Sequence, residues 1–431
     1  MERRIEKMLE KWKNSSGRKP LILQGARQVG KTYTTLQFGK KYYKNVAYFN
    51  MENKNIASIF EIDLNPQRII DNLSYITNQT ITAGETLIFF DEIQNSERAL
   101  TSLKYFNEMA NEYHIIAAGS LLGVFVNREK YSFPVGKVDM QTMYPMNFEE
   151  FLMALGQDFL IKEIKVSYYK NTALPSIIHD KAMDFYKKYI TIGGMPAVIN
   201  EYMSNDDMNL VLTVQNNINT AYIADMAKHA TPNTTTKIMA AYNSIPAQLA
   251  KDNRKFQYRI IKSGARAYEY ETPIDWLRTS GIIEKCIKAA EGKGPLTAYA
   301  DYNCFKVYIT DIGLLCSKFG VPYNAILYNA KAFEDFKGPL TENYVAASLA
   351  IKGYSLYYWE SNGIAEVDFL IQDDMGNIIP IEVKSSENVK SKSLNQYISK
   401  YKPPYAIRVS TKNFGFENNI KSVPLYAVFL I

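Results

Sequence analysis

Leu21-Ile22-Leu23-Gln24-Gly25-Ala26-Arg27-Gln28-Val29-Gly30-Lys31-Thr32 is a short apolar run leading into the pattern GxxxxGK[ST]. The order predicts a buried strand, a turn bracketed by two glycines and a helix over Tyr33 to Tyr43. Backbone N–H groups can wrap a phosphate only where the chain approaches it without a Cβ, which glycines at both ends of the turn allow. The helix adds its positive N-terminal end. Lys31 is placed to reach the β- and γ-phosphates and the Thr32 hydroxyl to bind Mg²⁺. Gly25, Ala26, Arg27, Gln28, Val29, Gly30, Lys31 and Thr32 are therefore the expected nucleotide-binding residues, with ATP or GTP as the ligand.

Outward from this loop, Thr86-Leu87-Ile88-Phe89-Phe90-Asp91-Glu92-Ile93-Gln94 reads as a buried strand ending in two acids. Asp91 is expected to hold Mg²⁺ and Glu92 to polarise the attacking water, so the pair points to hydrolysis as well as binding. A third apolar strand, His114 to Ala118, ends in Gly119-Ser120. In a parallel nucleotide-binding sheet such an end lies beside the γ-phosphate, so Ser120 is either a phosphate sensor or part of a plain strand-end turn. With Asn45 to Asn50 these strands alternate with helical stretches, the pattern of a parallel sheet flanked by helices.

A chain of 431 residues is too long for one core, and at roughly 100 to 200 residues per domain about three are expected. The 47% hydrophobic and 22% charged content is that of a globular protein, and the 32 tyrosines and 21 phenylalanines are expected in cores and domain contacts. The charged start Met1-Glu2-Arg3-Arg4 carries no secretory signal, and no apolar run is long enough to span a membrane. Cys286, Cys304 and Cys316 lack CxxC spacing, which argues against a disulfide framework or a zinc site. A cytoplasmic protein is expected. The net charge of +6 permits nucleic-acid binding without requiring it.

Composition shifts divide the chain at residues 1–140, 141–230, 231–330 and 331–431. The first segment is the nucleotide-binding core. The second is helical, broken at Gly193-Gly194-Met195-Pro196, where paired glycines and a proline force a turn. The third has helix-turn-helix character followed by two strands, and residues 231–290 hold ten Lys and Arg against five Asp and Glu. That bias fits a winged helix with a basic face, or a solvated helical connector.

The last segment holds a second chemical constellation. Ala365 to Ile371 and Ile378 to Lys384 read as the two strands of a hairpin around Asp373-Asp374-Met375-Gly376-Asn377. Side chains alternate along a strand, so Glu382 and Lys384 share a face and Asp368 can oppose them. This D…ExK spacing resembles the PD-(D/E)xK phosphodiesterase superfamily, in which the acids bind Mg²⁺ and the lysine positions or activates water. The resemblance implies Asp368, Glu382 and the helical Glu342 as metal ligands and Lys384 as catalytic, with Val367-Asp368 standing where Pro-Asp is usual. Gln396 and Tyr397 fall where some members carry further site residues. From Lys384 onward eight basic residues face two acids, a balance suited to a phosphate backbone.

The series GARQVGKT, LIFFDEIQ, FPVGKV, GGMPAV, SIPAQLAKDNRKF and AEVDFLI…IPIEVKSS resembles, in that order and over nearly the whole length, a large bacterial and archaeal family of AAA+ ATPases with an uncharacterised C-terminal domain. The resemblance implies an α/β chain: an AAA+-like P-loop sheet, a helical lid, a winged-helix segment and a nuclease-like end. It implies ATP as the nucleotide, and with the motifs above the leading expectation is Mg²⁺-dependent ATP hydrolysis coupled to binding of DNA as a partner. An ATP-gated endonuclease and a signalling ATPase acting on a protein are the alternatives. Arg27, Lys137, Arg254 and Arg266 are the cations available near such a site. An arginine supplied by a neighbouring subunit would make a homo-oligomer the active form.

Overall fold

The computed structural model describes residues 3–120, 133–251, 254–328, 330–331, 334–361, 363–386 and 392–431. These form two compact units, one holding the chain up to Tyr144 together with Thr279–Gly281, the other Pro145–Arg278 and Ile282–Ile431.

The first unit runs α1 (Ile5–Asn14), β1 (Leu21–Gln24), α2 (Lys31–Tyr42), β2 (Asn45–Asn50), α3 (Lys54–Ile62), α4 (Pro66–Thr77), β3 (Thr86–Asp91), α5 (Glu97–Met109), β4 (His114–Gly119) and β5 (Asp139–Thr142). Its strands form one parallel sheet in the order β2-β3-β4-β1-β5. Alternation along the strands splits the apolar residues between two faces. Ile22, Phe49, Ile88, Phe90, Ile115 and Ala117 pack with the buried residues of α3, α4 and α5 in one core. Leu23, Leu87, Phe89 and Ile116 are buried on the other face, where α2 lies. Gly39 belongs to this second contact, since a Cβ there would run into Val46 and Leu87. The four strands expected from apolar runs are present within a residue or two. β5 was not expected, because Asp139-Met140-Gln141-Thr142 is a polar edge strand with no apolar run to mark it.

His114, at the start of β4, is buried among Trp12 and Tyr43, with its Nδ1 2.7 Å from the Tyr43 hydroxyl. Burial, with Arg18 and Lys13 nearby, pushes its pKa down to about 4. A histidine kept neutral in the fold stabilises it fully above its ordinary value of about 6.5, and that contribution is lost as pH falls through 6.5 towards 4. Denaturant unfolding of the first unit is therefore expected to show a falling midpoint between pH 6.5 and 4.5, and His114→Gln to flatten that slope. An unchanged slope in the variant would show that other groups set it.

The second unit starts with helices α6 (Phe148–Ala154), α7 (Asp158–Lys170), α8 (Ser176–Ile192), α9 (Pro196–Asn205), α10 (Met208–His229), α11 (Pro232–Leu249), α12 (Tyr258–Ile261) and α13 (Ala267–Thr279). The antiparallel pair β6 (Ile283–Ala289) and β7 (Ala300–Ile309) follows, then α14 (Ile312–Phe319), α15 (Tyr323–Leu327) and α16 (Glu334–Ile351). The chain ends in β8 (Tyr357–Ser361), β9 (Ala365–Gln372), β10 (Ile378–Val383), α17 (Lys392–Tyr401), β11 (Ala406–Ser410), β12 (Gly415–Glu417) and β13 (Ile420–Pro424). Eight strands make one mixed sheet, β12-β13-β11-β10-β9-β8-β6-β7, in which β6 pairs parallel to β8. β6 and β7 thus extend the sheet of the C-terminal segment. α17 covers one face through Leu394 and Tyr397, and Tyr397 packs in a core with Trp359, Val367, Leu370 and Ile378.

The Gly193-Gly194 break has a packing cause. Gly193 has φ +78°, and a Cβ on Gly194 would land on the Met146 carbonyl. Asp311 ties this turn to α14, accepting from the Gly194 N–H at 2.7 Å and capping the helix through the Leu314 N–H at 2.9 Å. Burial pushes Asp311 up to about 6 although four backbone N–H groups pull the other way. Aromatic contacts join the helical layer to the C-terminal residues: Tyr186 and Tyr189 against Tyr344, Phe148 against Phe429, and His179 2.8 Å from the Tyr426 hydroxyl. Many of the chain's tyrosines are spent here, as core and interlayer rings.

Candidate nucleotide site and a second acidic pocket

The phosphate loop lies at the carboxyl end of β1, between β4 and β5. Gly25 has φ +143°, and a Cβ on it would strike the Met143 carbonyl, so the close approach there is to the backbone just after β5. Gln28 and Gly30 also have positive φ, and Gly30 begins α2 without a side-chain cap, leaving the helix N–H groups for an anion. Lys31 is buried and donates to the Gly25 and Ala26 carbonyls at 2.9 and 2.8 Å. The loop's own oxygens thereby hold the ammonium inside the cradle.

Thr32 and Asp91 meet: the Thr32 hydroxyl donates to Asp91 Oδ2 at 2.8 Å. Tyr48 on β2 donates to the same oxygen at 3.2 Å, and the Glu92 N–H donates to Oδ1 at 3.1 Å. Burial raises the Asp91 pKa against these three donors, and burial beside Asp91 pushes Tyr48 up to about 12. A buried carboxylate touching a threonine hydroxyl at a helix start is the donor set of a hard divalent ion, so Thr32 and Asp91 fit Mg²⁺. Such an ion would neutralise phosphate charge there.

Glu92 has left-handed backbone, φ 50° and ψ 42°, rarely adopted by a residue with a Cβ. The conformation ends β3 abruptly and turns the Glu92 side chain away from the strand direction. Gln94 donates to Glu92 Oε2 and holds the carboxylate. Ser120, at the end of β4, lies 3.4 Å from Arg27 Nε. Two supports went unnoticed in the sequence. Buried Arg3 donates to the Val29 and Tyr144 carbonyls, each at 2.8 Å, bracing the loop from behind. Tyr48 supports Asp91. Neither carries a motif, and contact alone reveals them.

The C-terminal constellation is also brought together in part. The register of β9 against β10 pairs Ile381 with Phe369, so Asp368 faces Glu382 one step on, as alternation predicted. Asp368 Oδ2 accepts from the Val383 N–H at 2.7 Å, and Lys384 pairs with Glu382 at 2.6 Å. Glu342 on α16 is already partnered. Its carboxylate is held by Lys306 at 3.1 Å, by the Tyr308 hydroxyl at 2.5 Å and by Arg254. Lys306 in turn pairs with Glu366 at 2.5 Å. Among the described residues no three His, Cys, Asp or Glu side chains are grouped to hold a metal ion. Glu342, expected as a metal ligand, is paired with two cations, Lys306 and Arg254. Tyr397 is buried in the core with its hydroxyl on the Gly292 carbonyl, 3.1 Å away.

Residues 17–152 match the family model of the AAA domain. Residues 183–324 and 337–428 match two domains of unknown function, DUF8612 and DUF4143. No curated protein matches the chain in sequence. Among solved structures, similarity is found to the Walker-type ATPase PABY2304 of Pyrococcus abyssi, with 15% identity, 74% of this chain and 96% of that chain covered, and a TM-score of 0.45. It is also found to the Aeropyrum pernix ORC2 protein, with 12% identity, coverage of 76% and 93% and a TM-score of 0.32. A third is AMPPCP-bound DnaA from Aquifex aeolicus, with 14% identity, coverage of 63% and 85% and a TM-score of 0.29. The domain match, together with the phosphate loop after β1 and the acids at the end of β3, identifies residues 17–152 as an AAA-type P-loop ATPase domain. No helix among the described residues is long and apolar enough to cross a membrane.

Proposed function

We propose that the chain hydrolyses ATP with Mg²⁺ held by Thr32 and Asp91, that Glu92 polarises the attacking water, and that turnover is coupled to DNA binding by the second unit. One observation carries the catalytic reading: Thr32 and Asp91 share a hydrogen bond of 2.8 Å with Glu92 the next residue, at the strand ends beside the phosphate loop. Lys31 would release the loop carbonyls for the β- and γ-phosphates, and Ser120 would face the γ-phosphate.

The DNA half of the reading is supported by a short stretch of the second unit. Arg259, Lys262 and Arg266 are exposed at α12 and the turn before α13, and Tyr268 beside them is 73% exposed. Cations bind a phosphate backbone and an exposed ring gives a base something to stack on. The order α11, α12, α13, β6, β7 supports the reading of a winged-helix-like segment whose two strands belong to the large sheet. Likewise, α16, three antiparallel strands, α17 and the parallel strand β11 support the reading of a nuclease-like module used for contacts. Reversing three charges, Arg259→Glu, Lys262→Glu and Arg266→Glu, is expected to weaken duplex binding at least tenfold at low salt and to remove any DNA stimulation of turnover, while basal turnover stays unchanged. Fluorescence anisotropy across a salt series measures the first and phosphate release the second. Equal affinity in the triple variant would remove DNA from the reading and direct the search to a protein partner.

A further inference from the structure

On the face of the mixed sheet beneath α16, acids and cations are interleaved. Lys306 is almost fully buried, its side chain 1% exposed. It lies between Glu342 and Glu366, over the ring of Tyr358 at 5.1 Å. Cys286, its register partner on β6, is buried too, and burial pushes the thiol well up, so it is a neutral neighbour. Arg254 closes on the second oxygen of Glu342, and Lys255 and Lys288 both pair with Glu360, at 2.6 and 3.1 Å. Around the acids Glu342, Glu366, Asp368 and Glu382 stand three cations, Lys306, Arg254 and Lys384, so the charge is already met to within one unit.

We propose that the Lys306 ammonium fills the cation position of this pocket, so that the C-terminal module takes no divalent ion between Glu342, Asp368 and Glu382. The physical reason is that the acids already have partners: Lys306 holds Glu342 and Glu366, Lys384 holds Glu382, and the Val383 N–H holds Asp368. A hard divalent ion needs several carboxylate or water oxygens on one centre. Glu342 already accepts from an ammonium, a guanidinium and a tyrosine hydroxyl, which take three of its roughly four lone-pair directions. Expelling Lys306 would also strand a buried charge, which is strongly unfavourable. The fold keeps the acid pair of a metal-dependent phosphodiesterase and replaces the ion by a side chain.

The test is a manganese titration of the full chain carrying Lys31→Ala and Asp91→Asn, without nucleotide, followed by the electron paramagnetic resonance signal of free Mn²⁺. The expected result is no saturable binding into the millimolar range, and the same outcome when Glu382→Gln is added. Saturable binding of one Mn²⁺ that Glu382→Gln abolishes would overturn the proposal. Lys306→Gln in the same background is expected to gain a Mn²⁺ site that Glu342→Gln removes. A folded Lys306→Gln chain, by circular dichroism, that still binds no Mn²⁺ would show that the ammonium is not what excludes the ion. If that variant does not fold, the titration of the chain carrying Lys31→Ala and Asp91→Asn decides alone.

Discussion

Glu92→Gln is expected to bind ATP as tightly as the wild type and to turn it over about a hundred- to ten-thousand-fold more slowly, the usual worth of a positioned general base. The substitution keeps size and hydrogen-bonding shape, so Gln94 retains a partner and the left-handed backbone at residue 92 is undisturbed. What it removes is the charge that polarises water. Binding rests on other atoms, namely the loop N–H groups, Lys31 and the Thr32 and Asp91 pair. Titration with a fluorescent ATP analogue and steady-state phosphate release separate the two. Retention of wild-type turnover would mean that Glu92 plays no part in catalysis, and a parallel loss of affinity would assign it to binding.

Gly25→Ala is expected to abolish most nucleotide affinity without unfolding the second unit. At φ +143° a Cβ is strained, and here it would also meet a backbone carbonyl, that of Met143, which has no rotamer to escape into. Strain of this kind costs about 1 to 3 kcal/mol, and if the loop opens to relieve it the loss in affinity reaches about a hundredfold. Lys31→Ala should match it in affinity by a different route, since it deletes the ammonium and introduces no Cβ at the strained Gly25 backbone. A Gly25→Ala chain that binds nucleotide normally would show that the loop can shift away from β5.

The candidate nucleotide site could be named because its chemistry is local in sequence: glycines, Lys31 and Thr32 lie within eight residues, and Asp91-Glu92 end a uniformly apolar strand. The sheet's apolar members were legible for the same reason. What escaped was non-local. Arg3 braces Val29 and Tyr144 across loops that no periodicity connects. β5 is too polar and too short to declare itself. In the C-terminal module, alternation along β9 and β10 foresaw Asp368 facing Glu382, while the role of Glu342 depended on Lys306, one basic residue in an otherwise ordinary strand. A lysine on a strand reads as solvent-facing, and only the packing of α16 above it makes it internal. The GGMP turn was readable as a turn, and its cause, a buried Asp311 more than a hundred residues away, was not.

β7 is ten residues long and ends the mixed sheet, with no further strand beside it among the described residues. A free row of backbone donors and acceptors of that length would invite strand addition from another chain. Phe256 sits on it, donating its N–H to the Phe305 carbonyl at 2.9 Å and stacking on the Phe305 ring at 5.4 Å. Arg254 and Lys255, just before it, anchor that cover through Glu342 and Glu360. The ion pairs around the acidic pocket therefore also hold Phe256 against the outer edge of β7, where it occupies one of the strand's outward carbonyls.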